Sequence, residues 1–375
     1  QQKKMAENAL KDFRDRFHIP VPDEKVAEAP FYKPAEDSPE MKYLHERRQA
    51  LGGYLPERRI TAEPVNIPDL SAFEVLLKDS GEREMSTTMA YVRALSIIAR
   101  DKGLASRLVP IVPDEARTFG MEGLFRQLGI YASQGQLYEP QDADQLMYYR
   151  EDQKGQILQE GINEAGAMSS WIAAATAYAN HGIEMIPFFA YYSMFGYQRV
   201  GDLWYAAGDM QAKGFLMGGT AGRTTLNGEG LQHEDGHSHL MTAALPNCRS
   251  FDPTFAYEMA VIIQDGMRRM YQEQESVFYY ITMMNENYHQ PAMPEGAEDG
   301  ITRGMYRFRQ GEAGERRVQL MGSGSILIEV IAAADLLKQD WGVESDVWSC
   351  TSFTELRRDG IDCERYNMLH PEDTP

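Results

Sequence analysis

Short apolar segments alternate with longer helical segments through the central part of this chain. A strand of a parallel sheet is covered on both faces, so it is apolar along its whole length, and helices connect it to the next strand. We therefore predict an α/β fold, a parallel sheet with helices on both faces, whose ligand-binding groups gather at the carboxyl ends of the strands. The predicted strands are 108–112, 185–190, 214–217, 247–251 and 277–282, and the predicted helices are 86–102, 163–180, 199–211 and 254–271.

Three regions follow from composition and pattern. Residues 1–65 are charged and rich in proline, which is typical of a linker or arm. Residues 66–312 contain the alternating pattern and form the predicted main domain. Residues 313–375 begin a second α/β unit. The shorter patterns behind this division are helical at 5–17, 38–51 and 325–339, and apolar at 318–321 and 347–350.

A small turn in the second unit has two interpretations. Gly322-Ser-Gly-Ser325 precedes the predicted helix, and a helix N-terminus can bind a phosphate group. Four residues of this kind are more often a tight connection between a strand and a helix, and we prefer that interpretation.

Charge and cysteine content exclude several classes of protein. The 375 residues include 37 Lys and Arg against 56 Asp and Glu, and the resulting net charge of -19 repels nucleic acids and anionic membranes. The three cysteines have no Cys-x-x-Cys spacing, which argues against a disulfide framework and favours a reducing cytoplasm. No signal peptide pattern opens the chain, and its apolar runs are too short to span a bilayer. We expect a cytoplasmic protein that binds neither nucleic acid nor membrane.

The segment from Gly218 to His239 contains three histidines, three acidic residues and six glycines, with no apolar periodicity. Glycine lets the backbone approach a ligand closely, and imidazole can transfer a proton or bind a metal. A polar loop held by hydrogen-bonded histidines would have the same composition. The segment is therefore a candidate site that needs support from the rest of the chain.

A zinc-protease motif is present in this segment only as a literal match. His233-Glu-Asp-Gly-His237 fits His-Glu-x-x-His, but that motif works inside a helix, where both histidines share one face. Asp235 and Gly236 are poor helix formers, and glycines also precede the motif. We expect a loop here, and no metal site.

Other candidate residues follow the predicted strands and helix starts. Glu164 opens a predicted helix, where an acid either stabilises the helix dipole or is held against a ligand. Asp114 and Glu115 come directly after a strand, as turn residues or as catalytic acids. Tyr192 and Phe195 follow another strand, and an aromatic ring in such a turn can stack on a planar heterocycle.

Five long stretches of the chain are specific enough to compare with known families. They are DEARTFGMEGLFRQLGIY, EDQKGQILQEGINEAGA, YYSMFGYQRVGDLWYAAGDMQA, GGTAGRTTLNGEGLQHEDGHSH and ITMMNENYHQPAMPEGAEDG. They resemble one enzyme family, the thiamine-diphosphate-dependent first component of the bacterial pyruvate dehydrogenase complex in its homodimeric form, and the resemblance covers almost all of the chain. It implies a thiamine-diphosphate-binding fold, with this chain as the middle domain and the start of the C-terminal domain of a longer enzyme.

The resemblance also implies ligands and partners. Thiamine diphosphate and Mg²⁺ are the expected cofactors, pyruvate the substrate, and the lipoyl domain of the dihydrolipoyl acetyltransferase component the partner. The family's Gly-Asp-Gly motif for diphosphate and Mg²⁺ does not occur in this chain. The chain also begins with Gln-Gln-Lys-Lys rather than Met. We expect a fragment that holds half of a site formed at a homodimer interface and that is inactive alone.

Site residues are carried over by position in the matching stretches. Glu164 matches the glutamate that bonds the aminopyrimidine ring nitrogen and favours the imino tautomer, and His233 matches an active-site histidine for proton transfer or carboxylate binding. His237 and His239 are expected only to order the loop. The other expected cofactor-binding residues are Phe195, which stacks on the pyrimidine, and Ile162, and the other expected catalytic residues are Asp114, Glu115, Tyr192 and Glu229.

Three alternatives stay open from the sequence. One is another two-oxoacid dehydrogenase or a transketolase-like enzyme, which would share the architecture. A second is a dimerisation or assembly module without chemistry of its own. The third is a metal hydrolase, which tightly bound zinc would reveal.

Overall fold

The structure, a computed structural model, describes residues 4–54, 62–113, 116–117, 119–140, 149–222, 230–314 and 316–373. The chain divides into two compact units, Gln1–Arg59 and Ile60–Pro375. The first unit contains two helices that lie where the sequence predicts them. No helix within the described residues is both long and apolar enough to cross a membrane.

The helices and strands are numbered in chain order over the described residues. The helices are α1 (Glu7–Arg16), α2 (Pro39–Ala50), α3 (Glu74–Leu77), α4 (Thr87–Ile98), α5 (Glu122–Leu128), α6 (Glu164–Ala175), α7 (Ala177–Asn180), α8 (Tyr197–Asp209), α9 (Ser238–Thr242), α10 (Ala256–Met267), α11 (Ala297–Arg303), α12 (Ile326–Trp341) and α13 (Phe353–Leu369). The strands are β1 (Glu84–Met85), β2 (Leu108–Val112), β3 (Ile130–Tyr131), β4 (Glu151–Asp152), β5 (Leu158–Gln159), β6 (Ile186–Tyr192), β7 (Phe215–Gly219), β8 (Cys248–Phe251), β9 (Phe278–Thr282), β10 (Tyr288–His289), β11 (Tyr306–Arg309), β12 (Arg317–Gly322) and β13 (Glu344–Ser349).

The main sheet of the second unit has six strands within the described residues, in the order β5-β2-β6-β7-β9-β8. Every neighbouring pair in it is parallel. The five predicted apolar strands are all in this sheet, so the prediction of a parallel α/β fold is confirmed. The carboxyl ends of the strands therefore lie along one edge, which includes Tyr192, Gly219, Phe251 and Thr282.

Two apolar cores cover the two faces of this sheet, because successive side chains of a strand point to opposite faces. Phe188 of β6 packs with helices α4 and α10 on one face and stacks on Phe215 with ring centroids 4.4 Å apart. Phe189, the next residue, belongs to the other core, where Trp171 of α6 and Trp204 of α8 are fully buried. Helices on both faces follow from strands that are apolar throughout.

A smaller sheet forms the second α/β region, with strand order β11-β13-β12 within the described residues. Strands β12 and β13 are parallel, as the predicted strand-helix-strand pattern requires, and α12 connects them. Strand β11 is antiparallel to β13 and was not predicted. Helix α13 follows this sheet, and the sequence analysis contains no prediction for it.

A buried glutamate joins helix α10 to the smaller sheet. Glu258 accepts hydrogen bonds from the backbone N–H groups of Thr254 at 2.5 Å and Phe255 at 3.1 Å, which caps the helix. Its other oxygen accepts from Tyr306 Oη of β11 at 2.7 Å and Ser349 Oγ of β13 at 2.6 Å. Burial raises the pKa of the Glu258 carboxyl above its ordinary value. Four donors thus satisfy one carboxyl group inside the unit.

Candidate functional site

Glu164 is the first residue of α6, as predicted. Asn163 caps the helix because its Oδ1 accepts from the N–H of Gly166 at 3.1 Å. The side chain of Glu164 is only 11% exposed, and its Oε1 lies 2.8 Å from a guanidinium nitrogen of Arg199. A nearly buried carboxylate at a helix N-terminus is oriented by the helix dipole and by this ion pair.

Three aromatic rings meet beyond the carboxyl end of β6. The His233 ring lies 4.6 Å from the ring of Tyr192 and 5.3 Å from that of Phe195, measured between centroids. Tyr192 and Phe195 are 5.9 Å apart, and Phe119 packs behind Tyr192 at 5.5 Å. The structure thus brings together three predicted site residues from two distant stretches of sequence.

Arg199 of α8 connects this aromatic cluster to the carboxylate. Its guanidinium carbon lies 4.1 Å from the centroid of the Phe195 ring, while one of its nitrogens contacts Glu164. Arg199 was not among the site residues predicted from the sequence. The sequence signal that could have revealed this contact is the spacing of Phe195 and Arg199, because residues four apart are neighbours on a helix. The short 3₁₀ turn Ser193–Phe195 and the turn at Gly196 break that helical pattern.

Buried polar atoms without protein partners surround the cluster. Among the described residues, His233 Nδ1, Ser193 Oγ and Thr220 Oγ1 are buried and make no hydrogen bond. Such atoms are costly in a protein interior unless a ligand or water satisfies them. Gly219 packs so closely against Phe119 that a Cβ atom there would come within 2.3 Å of the ring. The site is therefore closely packed at Gly219. Its buried polar atoms can hydrogen-bond to a ligand.

The remaining predicted site residues have different outcomes. Ile162 is 71% exposed in the turn before α6 and contributes to no buried core. Asp114, Glu115 and Glu229 lie outside the described residues, so their predicted roles stay predictions. The described residues that precede Asp114 and Glu115 form β2. This strand ends at Val112, on the same edge of the sheet as Tyr192.

The zinc-protease geometry does not form. His233 ends a short 3₁₀ turn, whereas His237 precedes α9 and places its Nε2 3.3 Å from the side-chain amide of Gln198. Asp235 caps α9, since its Oδ1 accepts from the N–H groups of His237 at 3.1 Å and Ser238 at 3.0 Å. Across the described ranges, no group of three or more His, Cys, Asp or Glu side chains is arranged to hold a metal ion.

The glycine-serine turn before α12 is a structural connection. The side chain of Ser323 donates to Asp252 Oδ2 at 2.8 Å, and a Cβ atom on Gly324 would meet the same oxygen at 2.8 Å. Gly324 has a φ of +53°, a left-handed conformation that favours glycine. A carboxylate of the main domain occupies the place where a phosphate would bind, which agrees with the preferred interpretation of this turn.

The arrangement suits a planar heterocycle. Phe195 provides an aromatic face, Glu164 a carboxylate that can bond a ring nitrogen, and His233 a buried nitrogen on a ring 5.3 Å from that of Phe195. Aromatic stacking and one charged hydrogen bond would orient such a ring.

Comparison with known proteins assigns the chain to a family. Residues 65–291 match the family described as "Pyruvate dehydrogenase E1 component middle domain", and residues 304–373 match "Transketolase-like TK C-terminal domain". A protein named pyruvate dehydrogenase E1 component from Cupriavidus necator is 63% identical over all of this chain. The chain belongs to the pyruvate dehydrogenase E1 component family. Relatives of the same name in Pseudomonas aeruginosa and Escherichia coli are 62% and 59% identical over the whole chain.

The chain spans 42% of the length of each of these three relatives. Transketolase structures share its fold. The enzyme from Campylobacter jejuni gives a TM-score of 0.58 at 18% identity, over 90% of this chain and 42% of that one. The enzyme from Leishmania mexicana gives 0.55 at 15% identity, over 77% and 39%. The predicted family and fold class are confirmed. The high identity to E1 components favours that family over the transketolase alternative.

Proposed function

We propose that this chain contributes the aminopyrimidine-binding half of a thiamine-diphosphate site. In the longer protein, that site would decarboxylate pyruvate oxidatively and transfer the acetyl group to the lipoyl group of the acyltransferase component. The names of the relatives support the reaction, and the geometry supports the location of the half-site.

One observation carries the proposal. A nearly buried carboxylate on α6 is joined through Arg199 to an aromatic face at the end of β6, and an imidazole with a buried nitrogen packs on that face from the turn Leu231–His233. The aminopyrimidine ring of thiamine diphosphate has a flat face and a ring nitrogen that needs a hydrogen-bond partner. Phe195 can stack on the flat face, and Glu164 can bond the ring nitrogen. The buried polar atoms without partners can make further hydrogen bonds to the ligand.

When bound, thiamine diphosphate supplies the carbanion that adds to the keto carbon of pyruvate and stabilises the product of decarboxylation. Glu164 holds or shares a proton at the pyrimidine ring nitrogen through its carboxylate. Arg199 orients that carboxylate, since it contacts one of its oxygens and lies against Phe195. Phe195 fixes the plane of the ring by stacking. These residues set the orientation and the protonation state of the cofactor.

His233 acts on the substrate side of the site. Its Nδ1 is buried without a protein partner in the described part of the chain, so it can exchange a proton with a bound ligand or bind the carboxylate of pyruvate. Tyr192 packs against the imidazole and limits its rotation. Asp114, Glu115 and Glu229 are proposed as acids of the same pocket, and Ile162 as an apolar contact of the cofactor.

The other half of the site is proposed to come from the rest of the protein. We place the Mg²⁺ ligands and the diphosphate-binding residues in another domain, and the complete site at the interface of a homodimer. The proposed setting is the cytoplasm, in a multienzyme complex that oxidises the pyruvate formed by glycolysis.

The test uses the protein encoded by the whole reading frame that contains this chain. Glu164→Ala should abolish pyruvate turnover and weaken thiamine diphosphate binding, measured by titration of the intrinsic fluorescence. His233→Ala should impair reductive acetylation of a lipoyl domain more than decarboxylation coupled to an artificial electron acceptor. His237→Ala, in the same segment but bonded to Gln198, is the matched control and should lower neither rate markedly.

Two outcomes would contradict the assignment. Normal cofactor affinity and turnover in Glu164→Ala would remove the role of the carboxylate. An equal loss of both activities in His233→Ala would show that the histidine has no special part in the transfer step.

A further inference from the structure

His239 lies on α9, six residues after His233, and both of its ring nitrogens have hydroxyl partners. Nε2 is 2.9 Å from Thr282 Oγ1, and Nδ1 is 3.2 Å from Ser250 Oγ. Thr282 ends β9 and Ser250 lies on β8, and both are buried. The imidazole therefore bridges two neighbouring strands at the edge of the sheet where the candidate site lies.

The contacts of Thr282 determine which nitrogen of His239 carries the proton. Its hydroxyl lies 2.6 Å from Asp252 Oδ1 and 3.2 Å from the carbonyl oxygen of Phe251. Both of these oxygens are acceptors, and a hydroxyl has only one proton to donate. The third contact must therefore be a bond that the hydroxyl accepts, so His239 donates from Nε2.

The other nitrogen continues the same chain of hydrogen bonds. With the proton on Nε2 of a neutral ring, Nδ1 is an acceptor and Ser250 Oγ donates to it. Ser250 Oγ in turn lies 2.9 Å from Thr354 Oγ1, which can donate to it. Burial lowers the pKa of His239, which favours this neutral form. We name the residues Thr354, Ser250, His239, Thr282 and Asp252 the His239 chain.

Both ends of the His239 chain reach the region that matches the transketolase-like C-terminal domain. Thr354 lies in the first turn of α13, and Asp252 accepts a hydrogen bond from Ser323 in the turn before α12. In the middle of the His239 chain is His239 itself, on α9, and Asp235 caps this helix. Asp235 is only two residues from His233, so a shift of α9 would move the backbone that carries the proposed catalytic imidazole.

We propose that His239 is a positioning residue through which the C-terminal domain fixes the place of His233 in the site. The part of this inference that concerns turnover rests on the proposed function. His239 itself does not contact the Glu164, Phe195 and His233 cluster through any hydrogen bond or ring contact given for the described residues. Its effect is therefore on the order of the segment, and cofactor binding through α6 and the end of β6 should be spared.

Thr282→Val tests the central link in the protein encoded by the whole reading frame. Valine has nearly the shape of threonine but cannot accept from Nε2 or donate to Asp252. Hydrogen-deuterium exchange of peptides covering residues 230–243 should be about tenfold faster, the factor expected for loss of a buried hydrogen-bond partner. The kcat for lipoyl acetylation should fall while thiamine diphosphate affinity stays unchanged. Thr282→Ser, which keeps the hydroxyl, should show the exchange rate and the kcat of the unmodified protein.

Thr176→Val is the matched control, because that buried hydroxyl lies between α6 and α7 and bonds only to those helices, donating to the carbonyl of Ile172 and accepting from the side-chain amide of Asn180. It should leave exchange of the 230–243 peptides unchanged. Thr354→Val removes the far end of the His239 chain at a residue of α13, outside the main sheet, and it keeps the test usable if Thr282→Val does not fold. It should also accelerate exchange at 230–243, about 110 residues away in sequence.

Exchange and kcat equal to those of the unmodified protein in Thr282→Val would overturn the proposal. An effect of Thr354→Val confined to α13 would overturn the role of the C-terminal domain. If the unmodified protein does not turn over pyruvate, the proposed function fails, but the difference in exchange between the Val and Ser variants still decides whether the His239 chain orders this segment.

Discussion

Replacing Glu258 tests how the smaller sheet is attached to the main one. The carboxyl group is buried and accepts from two backbone N–H groups and two hydroxyl groups. In Glu258→Ala the hydroxyl of Tyr306 can turn to its other partner, Tyr257 Oη at 2.5 Å. The N–H groups of Thr254 and Phe255 start a helix and have no such alternative.

The magnitude is a lower bound taken from those two orphaned N–H groups, because the hydroxyl of Ser349 loses its acceptor as well. Leaving a buried donor unsatisfied costs about 1–3 kcal/mol, so the Ala variant should lose about 2–6 kcal/mol of unfolding free energy. Unfolding entropies near 2.1 cal/mol/K per residue give about 0.6 kcal/mol/K for a unit of roughly 300 residues. The expected decrease in Tm is therefore about 3–10 °C.

Glu258→Gln separates hydrogen bonding from charge. The amide oxygen can accept from both N–H groups, and the amide nitrogen can donate to the two hydroxyl oxygens, so the same four contacts remain. The Gln variant should lose less than about 1 kcal/mol. Differential scanning fluorimetry of both variants beside the unmodified protein measures the two values.

The pH dependence of the Tm, compared between the unmodified protein and Glu258→Gln, provides a second measurement. Burial raises the pKa of Glu258 in the folded state above its ordinary value of 4.5. A raised carboxyl pKa contributes stability that is fully present below the unfolded value and is lost as the pH rises through the folded value. The Tm of the unmodified protein relative to that of Glu258→Gln should therefore be highest at acidic pH and fall toward neutral pH.

The reasoning fails if Gln and Ala destabilise equally, because the contacts would then depend on the carboxyl group itself. It also fails if the Ala variant loses less than about 1 kcal/mol, because two orphaned buried donors cannot cost so little.

Two further variants test the packing of the main domain. Gly219→Ala forces a Cβ atom to within 2.3 Å of Phe119, and it should cost about 1–3 kcal/mol in thermal unfolding; Gly360→Ala, a helical glycine with no atom within 4 Å, is the control and should stabilise by about 0.5–1 kcal/mol. Lys213→Met leaves the buried carboxylate of Glu184 without its cation and should cost about 3–5 kcal/mol, whereas replacing both partners by apolar residues should recover most of that loss in the same assay. Equal losses in the single and double variants would show that the ion pair is not the cause.

Local signals made the main sheet predictable. Strand β2 lies at the predicted residues 108–112, and the other four predicted strands differ from the observed ones by one or two residues at their ends. A strand buried on both faces must be apolar along its length, and helix caps such as Ser86 and Asn163 are read from neighbouring residues. These are properties of short segments, so the chain reveals them without its fold.

The short pairing strands and the last helix were not predictable in this way. Strand β5 has two residues, too few for a pattern, and β11 pairs with β13 across the intervening α12. Helix α13 has just one buried residue, Thr354, while its apolar residues Phe353, Ile361 and Leu369 are exposed. Their formation depends on partners that are distant along the chain.

The candidate site also has features that the sequence predicts and features that only the fold creates. The sequence itself determined the residue types, with Glu164 at a helix start, Phe195 after a strand and His233 in a glycine-rich segment, and the family to which they belong. Only the tertiary structure decided that His233 packs against Phe195 and that Arg199 lies between Phe195 and Glu164. It also decided that the carboxylate of Asp252 packs against the turn before α12. The physical reason is that hydrogen bonding and burial depend on distances between residues far apart in sequence, which no local pattern encodes.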